Sequence, residues 1–230
     1  MDLVTREPFH WSSYETVLFD MDGTLLDLKF DNYFWQQLIP ARYAEHHGLS
    51  SEEAVRILEP RFAERQGTLE WYCLDFWSRE LGLDVRALKR EAEDHIDFLP
   101  DVPEFLATIR ELGKRLVLVT NAHHGSLEVK LARTGLDQWL DAVHTSHELG
   151  LPKEHPGFWQ RLRAVEPFDP ARTVLVDDSL PVLRSAHDYG IARVIAIRRP
   201  DSTRPARDID EFHAIDGVTD LHPRRRRRED

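Results

Sequence analysis

Asp20-Met21-Asp22-Gly23-Thr24 follows directly on the apolar run Val17-Leu18-Phe19. The run reads as a short buried strand. Alternate residues of a strand lean to the same side, so the two carboxylates leave its end together. Gly23 lets the chain turn. Two carboxylates this close do not both ionise comfortably without a cation or a shared proton, which points to a Mg²⁺ site with one nucleophile and one proton carrier. The plainer alternative is a strand end followed by an acidic turn, and a motif this short is decided by its context.

The context lies downstream. Leu116-Val117-Leu118-Val119 is a continuous apolar run ending at Thr120-Asn121, and Thr173-Val174-Leu175-Val176 ends at Asp177-Asp178-Ser179. Such runs suit parallel strands covered on both faces. Ala142-Val143-His144-Thr145 and Val194-Ile195-Ala196-Ile197 read as further strands. Between them lie apolar helical stripes at Phe105, Leu106, Ile109 and Leu112, from about Ser126 to Arg133, at Phe158, Leu162 and Val165, and at Leu183, Ala186 and Tyr189. Asp101 and Glu104 have capping-box spacing at the start of the first stripe. Strands alternating with helices predict an α/β fold with an open, doubly wound parallel sheet and right-handed crossovers.

In such sheets ligands bind beyond the carboxyl ends of the strands. Asp20 and Asp22, Thr120 and Asn121, and Asp177 and Asp178 all fall there, which favours a functional reading of the acidic pair. Lys153, in the loop Leu151-Pro152-Lys153-Glu154, offers the positive charge that the group lacks, although a loop lysine is more often solvated surface.

The stretch from about Phe30 to Phe98 has a different texture. It reads as almost wholly helical, punctuated at Gly48-Leu49-Ser50, Gly67-Thr68 and Gly82. Ser50 or Ser51 suits the cap of one helix and Thr68 the cap of another. The expected organisation is a discontinuous α/β core over 1–29 and 98–222, an all-helical insertion over 30–97, and an arginine-rich tail over 223–230.

Composition narrows the function classes. The chain has 230 residues and 41% hydrophobic residues, enough for a real core. Its 30 Lys and Arg against 41 Asp and Glu give a net charge of −11, which argues against broad nucleic-acid or anionic-membrane binding. The single cysteine, Cys73, excludes an internal disulfide and fits a reducing compartment. The first residues lack the basic-then-apolar order of a signal peptide, and no apolar run reaches the roughly 18 residues of a spanning helix. A cytoplasmic protein is expected.

The four stations, in this order, resemble the haloacid dehalogenase (HAD) superfamily of Mg²⁺-dependent phosphatases. Asp20-Met21-Asp22-Gly23-Thr24 looks like the first motif of that family, Thr120-Asn121 the second, Lys153 the third and Asp177-Asp178 the fourth. The helical insertion after the first motif is similar to the family's cap of the first type. Asp27-Leu28, Phe30-Asp31-Asn32-Tyr33-Phe34-Trp35, Trp71-Tyr72-Cys73-Leu74-Asp75-Phe76-Trp77 and Thr120-Asn121-Ala122-His123 look like the bacterial GMP/IMP nucleotidase branch.

The resemblance implies hydrolysis of purine nucleoside 5′-monophosphates to nucleoside and phosphate. Asp20 would be the nucleophile and Asp22 the proton carrier. Asp20, Asp22 through its carbonyl, and Asp178 would hold Mg²⁺, with Asp177 nearby or acting through water. Thr120, Asn121 and Lys153 would hold the phosphoryl group. The retained acid at Asp22 separates a phosphatase from a dehalogenase, whose halide leaving group needs no proton. The partner expected is a small phosphorylated metabolite, a purine mononucleotide first, with no specific nucleic acid and no membrane.

Other features carry less. One or two cap aromatics suit stacking on a purine, and most suit the bundle core. His123 and His124 read more readily as a polar loop than as site residues, and His46-His47 and His95 have no metal-ligand spacing. The run Arg224 to Arg228 reads as a solvated tail. The competing functions are a phosphosugar mutase or another small-metabolite phosphatase on the same core, and a receiver-type signalling module. In a receiver the acidic pair precedes the phosphorylated aspartate, the reverse of the order here.

Overall fold

The computed structural model describes residues 9–223; the arginine run Arg224–Arg228 lies outside them. Six parallel strands form one sheet: β1 (Thr16–Phe19), β2 (Arg115–Thr120), β3 (Ala142–Thr145), β4 (Thr173–Asp177), β5 (Arg193–Ile197) and β6 (His213–Ile215), in the spatial order β3-β2-β1-β4-β5-β6. The short edge strand β6 carries no apolar run, and the sequence does not announce it.

Period-two alternation sorts the strand residues between two cores. Val17, Phe19, Leu116, Leu118, Val174 and Val176 face one side, where Val102, Phe105, Leu106 and Ile109 cover them. Leu18, Val117, Val119 and Leu175 face the other, under Phe158, Trp159, Leu162, Val182, Leu183 and Ala186. Burial on both faces explains the unbroken apolar runs.

After β1, the insertion forms six helices: α1 (Lys29–Tyr33), α2 (Ile39–His47), α3 (Ser51–Arg65), α4 (Leu69–Tyr72), α5 (Leu74–Leu81) and α6 (Val85–Glu91). A π-helical turn, Phe34–Leu38, joins α1 to α2. Ser50 caps α3 in a capping box with Glu53, and Thr68 Oγ accepts from the backbone N–H of Trp71 at the start of α4. Phe34, Ile39, Tyr43, Leu58, Leu74, Trp77 and Leu81 form an apolar core belonging to these helices alone.

Five helices follow: α7 (Val102–Glu111), α8 (His124–Thr134), α9 (Ser146–Leu149), α10 (Phe158–Val165) and α11 (Leu180–Tyr189). The capping box expected at Asp101 and Glu104 does not form. Asp101 enters α7 with φ of 58°, in the left-handed region, and its side chain makes no cap hydrogen bond. In that conformation the carboxylate does not reach the first-turn N–H groups that an extended N-cap residue serves.

Candidate active site

The strand order reverses at β1, which has β2 on one side and β4 on the other. Register fixes what stands at that switch point. Phe19 pairs with Val176 and with Leu118, so Asp20 emerges beside Asp177 and just short of Thr120. The turn after Asp20 is tight: the N–H groups of Leu25 and Leu26 both donate to the carbonyl of Met21, and Gly23 N–H donates to Leu26. Gly23 has φ of 88°, and a Cβ there would come within 2.9 Å of the Asp178 carboxyl carbon. Glycine is required on both counts.

Lys153 is the hub. Its Nζ, 1% exposed, donates to Asp20 Oδ1 at 2.5 Å, to Asp177 Oδ2 at 2.7 Å and to the Val119 carbonyl at 3.0 Å. The loop that carries it is pinned by Asn121, whose Oδ1 accepts from Lys153 N–H at 3.0 Å and whose Nδ2 donates to Glu154 at 3.0 Å. The solvated-loop alternative for this lysine is therefore excluded. Burial works against its ammonium charge, but Asp177 and Asp20 raise its pKa above the ordinary value.

One oxygen each of Asp20, Asp177 and Asp178 lies within 4.8 Å of the others. Burial pushes Asp20 up to about 6 against the pull of Lys153, with Asp177 adding to the rise. Asp177 is raised chiefly by burial, and Asp178 is raised well above its ordinary value by burial and then by Asp177 and Asp20. Three crowded carboxylates face one ammonium group, with Arg207 3.6 Å from Asp178. Hard oxygen donors with surplus negative charge are the donor set that suits Mg²⁺.

Asp22 faces the same cavity with a different partner. Its Oδ1 lies 2.6 Å from Lys130 Nζ, in a buried ion pair. Burial pushes its pKa up to about 6, with Lys130 opposing the rise. Lys130 also donates to Asp31 at 2.6 Å, and Lys89 donates to the other Asp31 oxygen at 2.6 Å and to Ser126 at 3.0 Å. Burial alone would raise Asp31, yet Lys130 and Lys89 hold its carboxyl well below the usual range. Asp31, Lys89 and Lys130 are missed when lysines on helices are read as solvent-facing. Lys89 lies between the buried Val85 and Ala92, and Lys130 three residues after the buried Leu127. A cation inside an apolar stripe is the signal.

The cavity measures about 320 Å³. Asp20, Asp22, Thr120, Asn121, Lys153, Asp177 and Asp178 line one part of it; Trp35, Phe62, Trp71, Tyr72 and Leu74 line another, with Asn32 and Gln36 beside them. The insertion thus supplies an aromatic wall. Trp77 and Phe34, by contrast, are buried in the insertion's own core. His123 is buried and lines the cavity, while His124 is half-exposed near Glu148, so the two adjacent histidines separate.

The model of the haloacid dehalogenase-like hydrolases matches residues 14–190. The chain belongs to that family. It is 41% identical over 192 residues to the GMP/IMP nucleotidase YrfG of Escherichia coli (strain K12), covering 84% of this chain and 86% of that protein. Among solved structures it is similar to a HAD phosphatase from Thermococcus onnurineus, with a TM-score of 0.74 and 24% identity over 90% of this chain and 95% of that one. It is also similar to CbbY from Rhodobacter sphaeroides in complex with phosphate, with a TM-score of 0.61 and 21% identity over 91% and 96%. The structural likenesses carry the fold. The family and the nucleotidase-named relative make this chain a HAD phosphatase, a phosphoric monoester hydrolase.

Proposed function

We propose that the protein is a Mg²⁺-dependent nucleotidase that hydrolyses purine nucleoside 5′-monophosphates, GMP and IMP, through an aspartyl-phosphate on Asp20. The observation that carries this reading is the single cavity in which the Asp20–Lys153–Asp177 group faces a wall of Trp35, Phe62 and Trp71. Its volume lies near the lower end of the about 300–1,000 Å³ usual for small-molecule sites, which suits a mononucleotide. Aromatic faces stack on bases, and the substrate named for the 41% identical relative is a purine mononucleotide.

In this reading residues 1–29, of which 1–8 lie outside the described residues, and 98–222 are the catalytic core and 30–97 the cap. An Asp20 oxygen attacks phosphorus as the P–O5′ bond breaks, and Asp22 gives its proton to O5′ so that the nucleoside leaves neutral. Water then attacks the phosphorus of the aspartyl-phosphate. Its proton passes to Asp22, and the bond to Asp20 breaks to release phosphate. A covalent nucleophile divides the reaction into two displacements, and a proton carrier serving both needs a pKa near the working pH. Burial, which raises the Asp22 carboxyl against the pull of Lys130, works in that direction.

Thr120, Asn121 and Lys153 hold the phosphoryl oxygens. Asp20, the Asp22 carbonyl, Asp178 and Asp177 would hold the metal, which when bound neutralises charge on the transferring phosphoryl group. The reaction takes place on a cytoplasmic pool of small metabolites, and the carboxyl at Asp22 sets it apart from dehalogenation.

A phosphate-release screen over nucleoside monophosphates and sugar phosphates, with Mg²⁺ and with EDTA, tests the proposal. GMP and IMP should be turned over with Mg²⁺ only. Inert purine monophosphates beside an active sugar phosphate would overturn the nucleotidase reading and leave the phosphatase standing.

A further inference from the structure

Four charges meet beside the cavity, two from the cap and two from the core. Lys89 of α6 and Asp31 of α1 come from the cap; Lys130 of α8 and Asp22 come from the core. Lys89 is 2% exposed and Lys130 1%, so neither ammonium group is solvated. Each is compensated instead. Lys89 has Asp31, Ser126 and the faces of Phe30 and Phe34 at 4.9 and 5.0 Å, while Lys130 has Asp31 and Asp22. Buried charges are retained only where they are paired in this way. Removing one partner of such a group leaves an uncompensated buried charge.

The geometry concerns Asp22. Among the described residues the one ion pair of its carboxylate is with Lys130, 2.6 Å from Oδ1. A carboxyl that must meet O5′ and then a water has to be aimed without having its lone pairs filled. Lys130 fixes Oδ1 and leaves Oδ2 without an ion pair among the described residues. Lys130 is itself aimed by Asp31, and Asp31 by Lys89.

We propose that Lys130 is a positioning residue that aims Asp22 at the leaving-group oxygen, and that the cap completes this device through Asp31 and Lys89. The inference rests on the proton-carrier role given to Asp22 under the proposed function. A nucleotide site becomes competent for proton transfer only when the cap brings Asp31 against Lys130. The device is thus a check that the cap is seated before the P–O5′ bond is broken.

Leaving groups separate this role from a merely structural one. A nucleoside alkoxide must take a proton as it departs, whereas p-nitrophenolate departs without one. First-turnover release of guanosine from GMP and of p-nitrophenolate from p-nitrophenyl phosphate would be measured for the wild type and Lys130→Met by rapid quench with Mg²⁺ present. General acid catalysis contributes about 10²–10⁴-fold, so guanosine release should slow by about 30-fold or more while p-nitrophenolate release stays within about threefold. Equal slowing of both substrates, or of neither, overturns the inference.

Asp31→Asn, which keeps the shape of the side chain, replaces Lys130→Met if that variant does not fold, and the same asymmetry is expected. Lys89→Met should show it more weakly; wild-type rates there remove the cap from the device. If the wild type proves inert towards GMP, the nucleotidase reading falls, and the same comparison is made with an alkyl phosphate that is turned over. A wild type inert towards every phosphomonoester sinks both.

Discussion

Lys153 Nζ bridges Asp20 and Asp177, donating to one carboxylate at 2.5 Å and to the other at 2.7 Å. The β1–β4 ladder sets these two carboxylates side by side and one cation compensates both, while the third carboxylate, Asp178, completes the group from the next residue. Chemistry and local stability share the same atoms, so substitutions here read out on both.

Asp20→Asn keeps the hydrogen-bonding shape and removes the nucleophile. Turnover should fall by about 10⁴-fold or more, as expected when the attacking group itself is lost, with an unchanged circular dichroism spectrum. A purified variant with a large share of wild-type phosphate release would remove Asp20 from the nucleophile's role.

Lys153→Met leaves three carboxylates without their buried cation. Breaking such a pair from one side costs about 3–5 kcal/mol, so thermal unfolding in EDTA should move down sharply. Saturating Mg²⁺ should recover part of that loss, because a cation that binds only the folded state stabilises it by mass action. Activity should fall with weakened Mg²⁺ dependence. Wild-type melting in both buffers would contradict the hub described for this side chain.

Trp71 and Trp35 lie nearly parallel, with ring centroids 6.4 Å apart and planes at 26°, on the cavity wall. Base stacking on an aromatic contributes about 1–3 kcal/mol. Trp71→Ala should therefore raise KM for GMP by about 5- to 150-fold while leaving hydrolysis of p-nitrophenyl phosphate little changed. Steady-state kinetics on the two substrates decides it; a matched loss on both would place Trp71 in cap packing alone.

Away from the site, Arg115 donates to both oxygens of Glu166, at 2.6 and 3.0 Å, and His144 approaches the same carboxylate at 3.2 Å. The Arg115 hydrogen bonds, against an opposing effect of burial, hold Glu166 below its ordinary 4.5. A folded carboxyl with a lowered pKa stabilises the fold above the unfolded value, and that contribution is lost as pH falls through the lowered one. Glu166→Gln should cost about 1 kcal/mol at pH 7, a figure already reduced for the screening of the exposed Arg115. The gap from wild type in urea unfolding should close below pH 4.5. A constant gap from pH 7 to pH 3 would contradict the linkage.

The strand ends were legible because parallel strands buried on both faces write their length as apolar runs, and the residue that stops each run is the one at the ligand-binding edge. Lys153 was legible by its place in a set rather than by its own surroundings, which no single-sequence reading supplies. Asp31, Lys89 and Lys130 were not legible. Their pairing joins residues 58 and 99 positions apart, and local periodicity contains no such term. The missing cap at Asp101 failed for another reason: spacing specifies which residues can meet, while the left-handed backbone at Asp101 decides that they do not.

The insertion's inner apolar core, built around Trp77 and Phe34, is separate from the core under the sheet, which the insertion joins at its ends through Phe30, Ala92 and Ile96, with Asp31 and Lys89 adding charge contacts. Such a part can diverge on its own. Substitutions along the Trp35, Phe62 and Trp71 wall strain only the bundle that carries them and leave the sheet and its carboxylates undisturbed. Selection can therefore retune which phosphate ester is admitted without rebuilding the machinery that cleaves it.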